Sequence, residues 1–93
     1  MAMIRITPME VRVRCDWFDG RPRSIRMAES SVPVVRVERI RDESRGYPVA
    51  AGPRTIFEVR TPDARMALAY QHRRRRWVIE AIDPELSALG RAA

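Results

Sequence analysis

The chain has 93 residues and a mass of 10.8 kDa, which is room for one domain with a small core. Hydrophobic residues make up 45% and charged residues 32%, the balance of a folded chain and not of a disordered one. The net charge of +6 comes from 18 basic residues, all arginine, against 12 acids. The absence of lysine is a skew that GC-rich coding produces as readily as selection for guanidinium chemistry. A balance this basic favours polyanions as partners, a DNA or RNA backbone above all. No apolar run approaches the roughly 18 residues of a transmembrane helix, and the start, Met1–Ile6, lacks the apolar stretch of a leader. The expectation is a cytoplasmic protein with no membrane partner. Cys15 is the only cysteine, so neither an intramolecular disulfide nor a cysteine-based metal cage is open to the chain.

Alternation with a period of two dominates. Val11, Val13, Cys15 and Trp17 alternate with Arg12, Arg14 and Asp16, which predicts a half-buried strand with Trp17 in the core phase. Asp19-Gly20 predicts a tight type I′ hairpin turn, whose two central residues take positive φ. Pro22 opens the return, and Arg23–Ala28 forms the second strand with Ile25 and Met27 inward and Ser24 and Arg26 outward. After the polar turn Glu29-Ser30-Ser31, a third strand is expected from about Val32 to Arg41. Val35 and Val37 share one face of it and Ile40 is out of phase, so a bulge is expected near Glu38 or Arg39. Gly46, Pro48, Gly52 and Pro53 mark Asp42–Arg54 as a loop.

The fourth strand, Thr55–Thr61, places Phe57 and Val59 on one face, and Thr61-Pro62-Asp63-Ala64 reads as a turn. The fifth, Arg65–Gln71, carries Met66, Leu68 and Tyr70 on one face and Ala67 and Ala69 on the other. The sixth is Trp77–Ile82. Asp83-Pro84-Glu85 is a helix start and Gly90 a stop, which predicts a short helix over 84–89 with Leu86 and Leu89 docking on the barrel or on a partner. Met1 to Pro8 reads either as an edge strand, which the Ile4/Ile6 alternation fits, or as a loose arm. The expected fold is all-β: six strands in an antiparallel meander, curled into a small, SH3-like, partly open barrel with a short C-terminal helix.

The motifs Val11-x-Val13-x-Cys15-Asp16, Asp19-Gly20-Arg21-Pro22, Phe57-x-Val59-x-Thr61-Pro62-Asp63 and Arg76-Trp77-x-Ile79-Glu80-x-Ile82-Asp83 occur in that order. The series resembles a family of uncharacterised small bacterial β domains, common in actinobacteria. These also occur at the C-terminal end of some Y-family, translesion-type DNA polymerase-like proteins. The resemblance covers roughly Met9 to Asp83. It implies a link to DNA repair or replication, with a DNA-repair protein as a possible partner, and it carries no catalytic residues. The chain departs from the family at three places. Glu29-Ser30-Ser31 stands where the family has a Gly-Arg turn, four arginines stand where it has a Gly just before the Arg-Trp, and Tyr70-Gln71 replaces a Tyr-Arg pair.

Arg73, Arg74, Arg75 and Arg76 sit where the last hairpin turns. Neighbouring cations repel by about 1 kcal/mol at about 4 Å even in water, and phosphate oxygens, which accept bidentate guanidinium contacts, would relieve them. A solvated turn is the plainer reading. The outward row Arg12, Arg14, Arg26, Arg36 and Arg60 forms either a basic groove for a nucleic-acid backbone or, more simply, cross-strand pairs with Glu10, Asp16, Glu38 and Glu58. Phe18, opposite in phase to Trp17, is either an exposed ring for stacking or an interface, or a lid on the barrel's open end. Trp77 and Tyr70 read as core and Cys15 as a buried, inert thiol. His72, the only histidine, has no nucleophile or metal-ligating partner at a meaningful spacing. No metal, no cofactor and no enzymatic activity are expected. The two functions in contention are a sequence-independent nucleic-acid-binding module and a protein-interaction module using a sheet edge, Phe18 or the C-terminal helix.

Overall fold

Seven strands account for most of the 3–43, 45 and 52–83 residues that the computed structural model describes. They are β1 (Ile4–Cys15), β2 (Pro22–Met27), β3 (Ser30–Pro33), β4 (Arg36–Glu43), β5 (Arg54–Arg60), β6 (Arg65–Gln71) and β7 (Arg76–Asp83). All are antiparallel and form one sheet in the order β3-β2-β1-β7-β6-β5-β4. The all-β class holds, and among the described residues there is no helix. The helix expected over 84–89 and most of the loop expected over Asp42–Arg54 lie outside the described residues.

The count of six strands is corrected to seven, and the simple sequential order is corrected with it. The expected third strand is two. Pro33 offers no amide hydrogen, and the next two amides bond to different neighbours: Val34 N–H donates to the Arg23 carbonyl of β2 (2.8 Å) and Val35 N–H to the Arg60 carbonyl of β5 (2.7 Å). One continuous stretch therefore leaves β2 and joins β5. Because β3 and β4 are the two ends of the strand order, this hand-over curls the sheet into an open half-barrel.

The N-terminal stretch is a strand and not a loose arm, and up to Val11 it is paired on one side only, as an edge strand is: β1 pairs with β7 from Ile4↔Ile82 to Val11↔Trp77, and then with β2 from Arg12↔Arg26 to Cys15↔Pro22. Its two halves thus link β7 to β2 within one sheet.

Two bulges set which side chains face inward. In β4 the extra residue is Glu38, between Val37↔Val59 and Arg39↔Glu58, at the place the phase of Ile40 predicts. In β7 the extra residue is Glu80, between Ile79↔Leu68 and Ala81↔Ala67. Ile79 and Ile82 thereby reach the same side although they are three apart. Val11, Ile25, Val59, Met66, Leu68 and Ile79 fill the concave side, joined by Phe57 and Trp77. On the other face of the sheet Ile56, Ala67, Ala69, Val78 and Ala81 form a second buried cluster. The expected division of β6, with Met66 and Leu68 against Ala67 and Ala69, is the division between these two clusters.

Candidate nucleic-acid interface

The first hairpin decides where the aromatic residues go. Its loop is wider than a type I′ turn. Asp16 N–H donates to the Arg21 carbonyl and Gly20 N–H to the Asp16 carbonyl, both at 2.8 Å. The Asp16 carboxylate also accepts the Phe18 N–H at 2.7 Å, an Asx turn that competes with the ladder and ends β1 at Cys15. Only Gly20 of the Asp19-Gly20 pair takes positive φ, 73°. Trp17 therefore leaves the strand phase that pointed it to the core. It is 92% exposed, Phe18 is 83% exposed, and Phe18 is no lid on the barrel. Cys15 is exposed as well, and partial burial of its thiol pushes its pKa up. Tyr70 and Trp77 are half-buried, and Trp77 packs against Phe57 and Tyr70 with ring centroids 5.3 and 5.0 Å away. Phe57, Tyr70 and Trp77, with Cys15, line an apolar cleft of about 420 Å³ at this end of the sheet.

The outward face of β1 and β2 carries three of the arginines singled out in the sequence. Arg12 and Arg26 are directly opposite each other, and Arg14 is opposite Ser24. Ser31 of β3 faces Arg26 from the other side. Arg12, Arg14, Arg26, Ser24 and Ser31 together border a shallow depression of about 470 Å³. Like charges directly opposite on a sheet repel; Glu29 also borders the depression but forms no ion pair with them among the described residues.

The simple account of this row was cross-strand pairing with acids of matching phase. The structure pairs those acids elsewhere. Glu10 meets Arg76 at 3.5 Å, Asp16 meets Arg23 at 3.1 Å and Glu58 meets Arg41 at 3.6 Å. Glu38 lies between Arg60 at 3.1 Å and Arg65 at 2.8 Å. The Nε atoms of Arg60 and Arg65 are buried and make no well-aligned hydrogen bond, so Glu38 balances their charge more than it satisfies their donors. The row thus divides. Arg60 is paired, as the simple account has it. Arg12, Arg14, Arg26 and Arg36 have no ion pair or side-chain hydrogen bond among the described residues.

The arginine run lies at the same end of the sheet as the first hairpin's loop, because β1 runs antiparallel to β7 and passes beyond it. Arg73, Arg74 and Arg75 are exposed in the turn, and Arg75 takes a left-handed φ of 52°. Arg75 occupies the position directly before Arg76-Trp77. Its amide closes the turn onto the Gln71 carbonyl at 2.8 Å. The Arg73 side chain lies against Gly52, 3.4 Å from where a Cβ would stand. Arg76 differs from the other three. It is half-buried, donates to Gln71 Oε1 at 2.9 Å and reaches Glu10, which fixes it beside Arg12 on the outward face. His72 is bonded to Thr55 Oγ1 at 2.8 Å and stacks edge-on against Tyr70. Among the described residues no three His, Cys, Asp or Glu side chains converge on a common point.

Sequence reasoning missed two buried charges further along the sheet, on β5 and β7. Arg54 is 5% exposed and Glu80 7%, and they form an ion pair, with Glu43 3.1 Å from Arg54 Nε. The signal was present in the three-residue spacing of Ile79 and Ile82, which demands a bulge at Glu80. Comparison with protein-family models, curated proteins and solved structures found no match for this chain.

Proposed function

We propose that this chain is a small, non-enzymatic β module of the cytoplasm that binds the nucleic-acid backbone without sequence preference. The contacting groups are Arg12, Arg14 and Arg26 on the β1–β2 face, extended by Arg73, Arg74 and Arg75 at the neighbouring turn, with Arg76 held as part of the scaffold. One observation carries this reading: three exposed arginines converge on one face while the acids of matching phase are committed to other partners. Phosphates supply the missing counter-charge in a geometry that guanidinium groups favour. The curl of the sheet is read as SH3-like closure, and the link to DNA repair or replication rests on the family resemblance alone.

The test is binding to a labelled oligonucleotide across a salt titration. With six phosphates engaged, log affinity falls with log salt at a slope near −5 on duplex, so a fourfold rise in salt costs about a thousandfold. Replacing Arg12, Arg14 and Arg26 with alanine flattens the slope by about 3. An unchanged slope overturns the assignment of the face, and no binding at low salt overturns the function.

The runner-up is a protein-interaction module. Strand addition at the β4 edge is disfavoured by its charged run, Arg36, Glu38, Arg39, Arg41 and Asp42. The exposed Phe18 is the feature that would serve such a module.

A further inference from the structure

Two large aromatic rings stand in solvent at one loop tip. Trp17 and Phe18 touch edge to face, with centroids 5.8 Å apart and planes at 88°. The core does not use either ring. The loop beneath them is braced. Asp16 holds Phe18 N–H, Gly20 N–H and the Arg23 guanidinium, and Asp19 holds Arg21 N–H at 2.9 Å. The rings are therefore presented by a fixed backbone, which lowers the entropy lost when something settles on them. The loop also forms one wall of the Phe57–Tyr70–Trp77 cleft, through Cys15 and Gly20.

The surroundings of the pair indicate what it takes. The hairpin that carries it also carries Arg12, Arg14, Arg21 and Arg26, none of which has an acidic partner among the described residues. The Arg73–Arg75 turn lies at the same end of the sheet. A polyanion with planar, apolar faces matches this surface. Duplex bases are stacked on one another and offer no free face, whereas a single strand offers one at every nucleotide. We infer that Trp17 and Phe18 are a stacking platform for unpaired bases, and that single-stranded nucleic acid is the substrate class. This inference rests on the basic-face reading, which supplies the backbone contacts, and adds to it a preference of strand state.

The experiment compares a dT oligonucleotide of about 12 nucleotides with a duplex of the same length, at fixed salt, on the native chain and on Trp17→Ala/Phe18→Ala. The native chain binds the single strand more tightly than the duplex and quenches the emission of Trp17, read as the difference from Trp17→Phe. The double variant loses about 5- to 150-fold of its single-strand affinity and keeps its duplex affinity and salt slope. Circular dichroism of the variant confirms that the fold persists. If native chain and variant bind the single strand alike, with a steep salt slope, the stacking inference falls and the basic-face reading stands. If neither nucleic acid binds, both fall. Tip-dependent binding to phosphatidylglycerol/phosphatidylcholine vesicles, without binding to the oligonucleotide, overturns the inference in favour of a lipid surface.

Discussion

Arg54→Met should be among the most damaging single substitutions in this chain. The Arg54 side chain is 6% exposed and that of Glu80 is 9%, so solvent screens the pair very little. Removing the guanidinium leaves Glu80 in a nearly dry setting with no other cation paired to it among the described residues. Breaking one partner of a buried pair costs about 3–5 kcal/mol. The whole domain is worth about 5–10 kcal/mol. With a urea m-value of about 1.3 kcal/mol/M for a chain of this size, the unfolding midpoint drops by about 2–4 M. Glu43 contributes less to the loss, because its side chain is 24% exposed and also lies 3.8 Å from Arg41. The companion variant, Arg54→Met/Glu80→Leu, removes both charges and recovers most of the stability, since apolar replacement of a buried pair is often neutral or better. Urea denaturation followed by far-UV circular dichroism measures both. A loss below about 1 kcal/mol for Arg54→Met, or a double variant no more stable than the single, refutes the claim that the pair is buried and mutually dependent.

Arg75 and Ala28 hold left-handed φ values of 52° and 49°. Arg75→Gly and Ala28→Gly each relieve this, so each should stabilise by about 1 kcal/mol and raise Tm by about 5 °C, measured by thermal melts. A lowered Tm for either contradicts the turn geometry. Trp17→Ala should change stability by less than about 0.5 kcal/mol, whereas Leu68→Ala, fully buried, should cost about 2–5 kcal/mol. Equal costs in denaturant melts would return Trp17 to the core. Burial raises the Cys15 pKa, so less thiolate is present at neutral pH than in a free thiol. Its alkylation by iodoacetamide should be slower than that of a small thiol and should accelerate as pH rises through the shifted pKa. A rate equal to the free thiol at neutral pH would contradict this.

The strands were legible wherever one face is apolar and the other polar, as in Val11 and Val13 against Arg12 and Arg14. They were also legible where small residues mark a second packed face, as with Ala67 and Ala69. The β4 bulge was readable because Ile40 breaks phase within a single strand. The β3–β4 division was not, because the choice of neighbour at Val34 and Val35 is made by β2 and β5, which are distant in sequence. The pairing of β1 with β7 was hidden for the same reason: alternation states that a strand exists and not what it pairs with. Trp17 was misplaced because the reading closed the hairpin at Asp19-Gly20, on Phe18 and Arg21, while the Asp16 side chain and backbone closed it on Arg21 two residues earlier. Charge followed a similar course. The arginines and acids of the outward row were visible in matching phase, but which acid takes which arginine depends on strand order. That order left Arg12, Arg14 and Arg26 to share a face with no acidic partner.

The central claim is that this unpaired face, and not the arginine content at large, is what meets a nucleic acid. An NMR titration of the labelled chain with a short oligonucleotide tests it residue by residue. The account predicts chemical-shift changes concentrated at Arg12, Arg14, Ser24, Arg26 and residues 73–75 of the turn, with the ion-paired arginines Arg41, Arg54, Arg60 and Arg65 unmoved. Changes spread evenly over these residues and Arg41, Arg54, Arg60 and Arg65, or centred on the latter four, would contradict it.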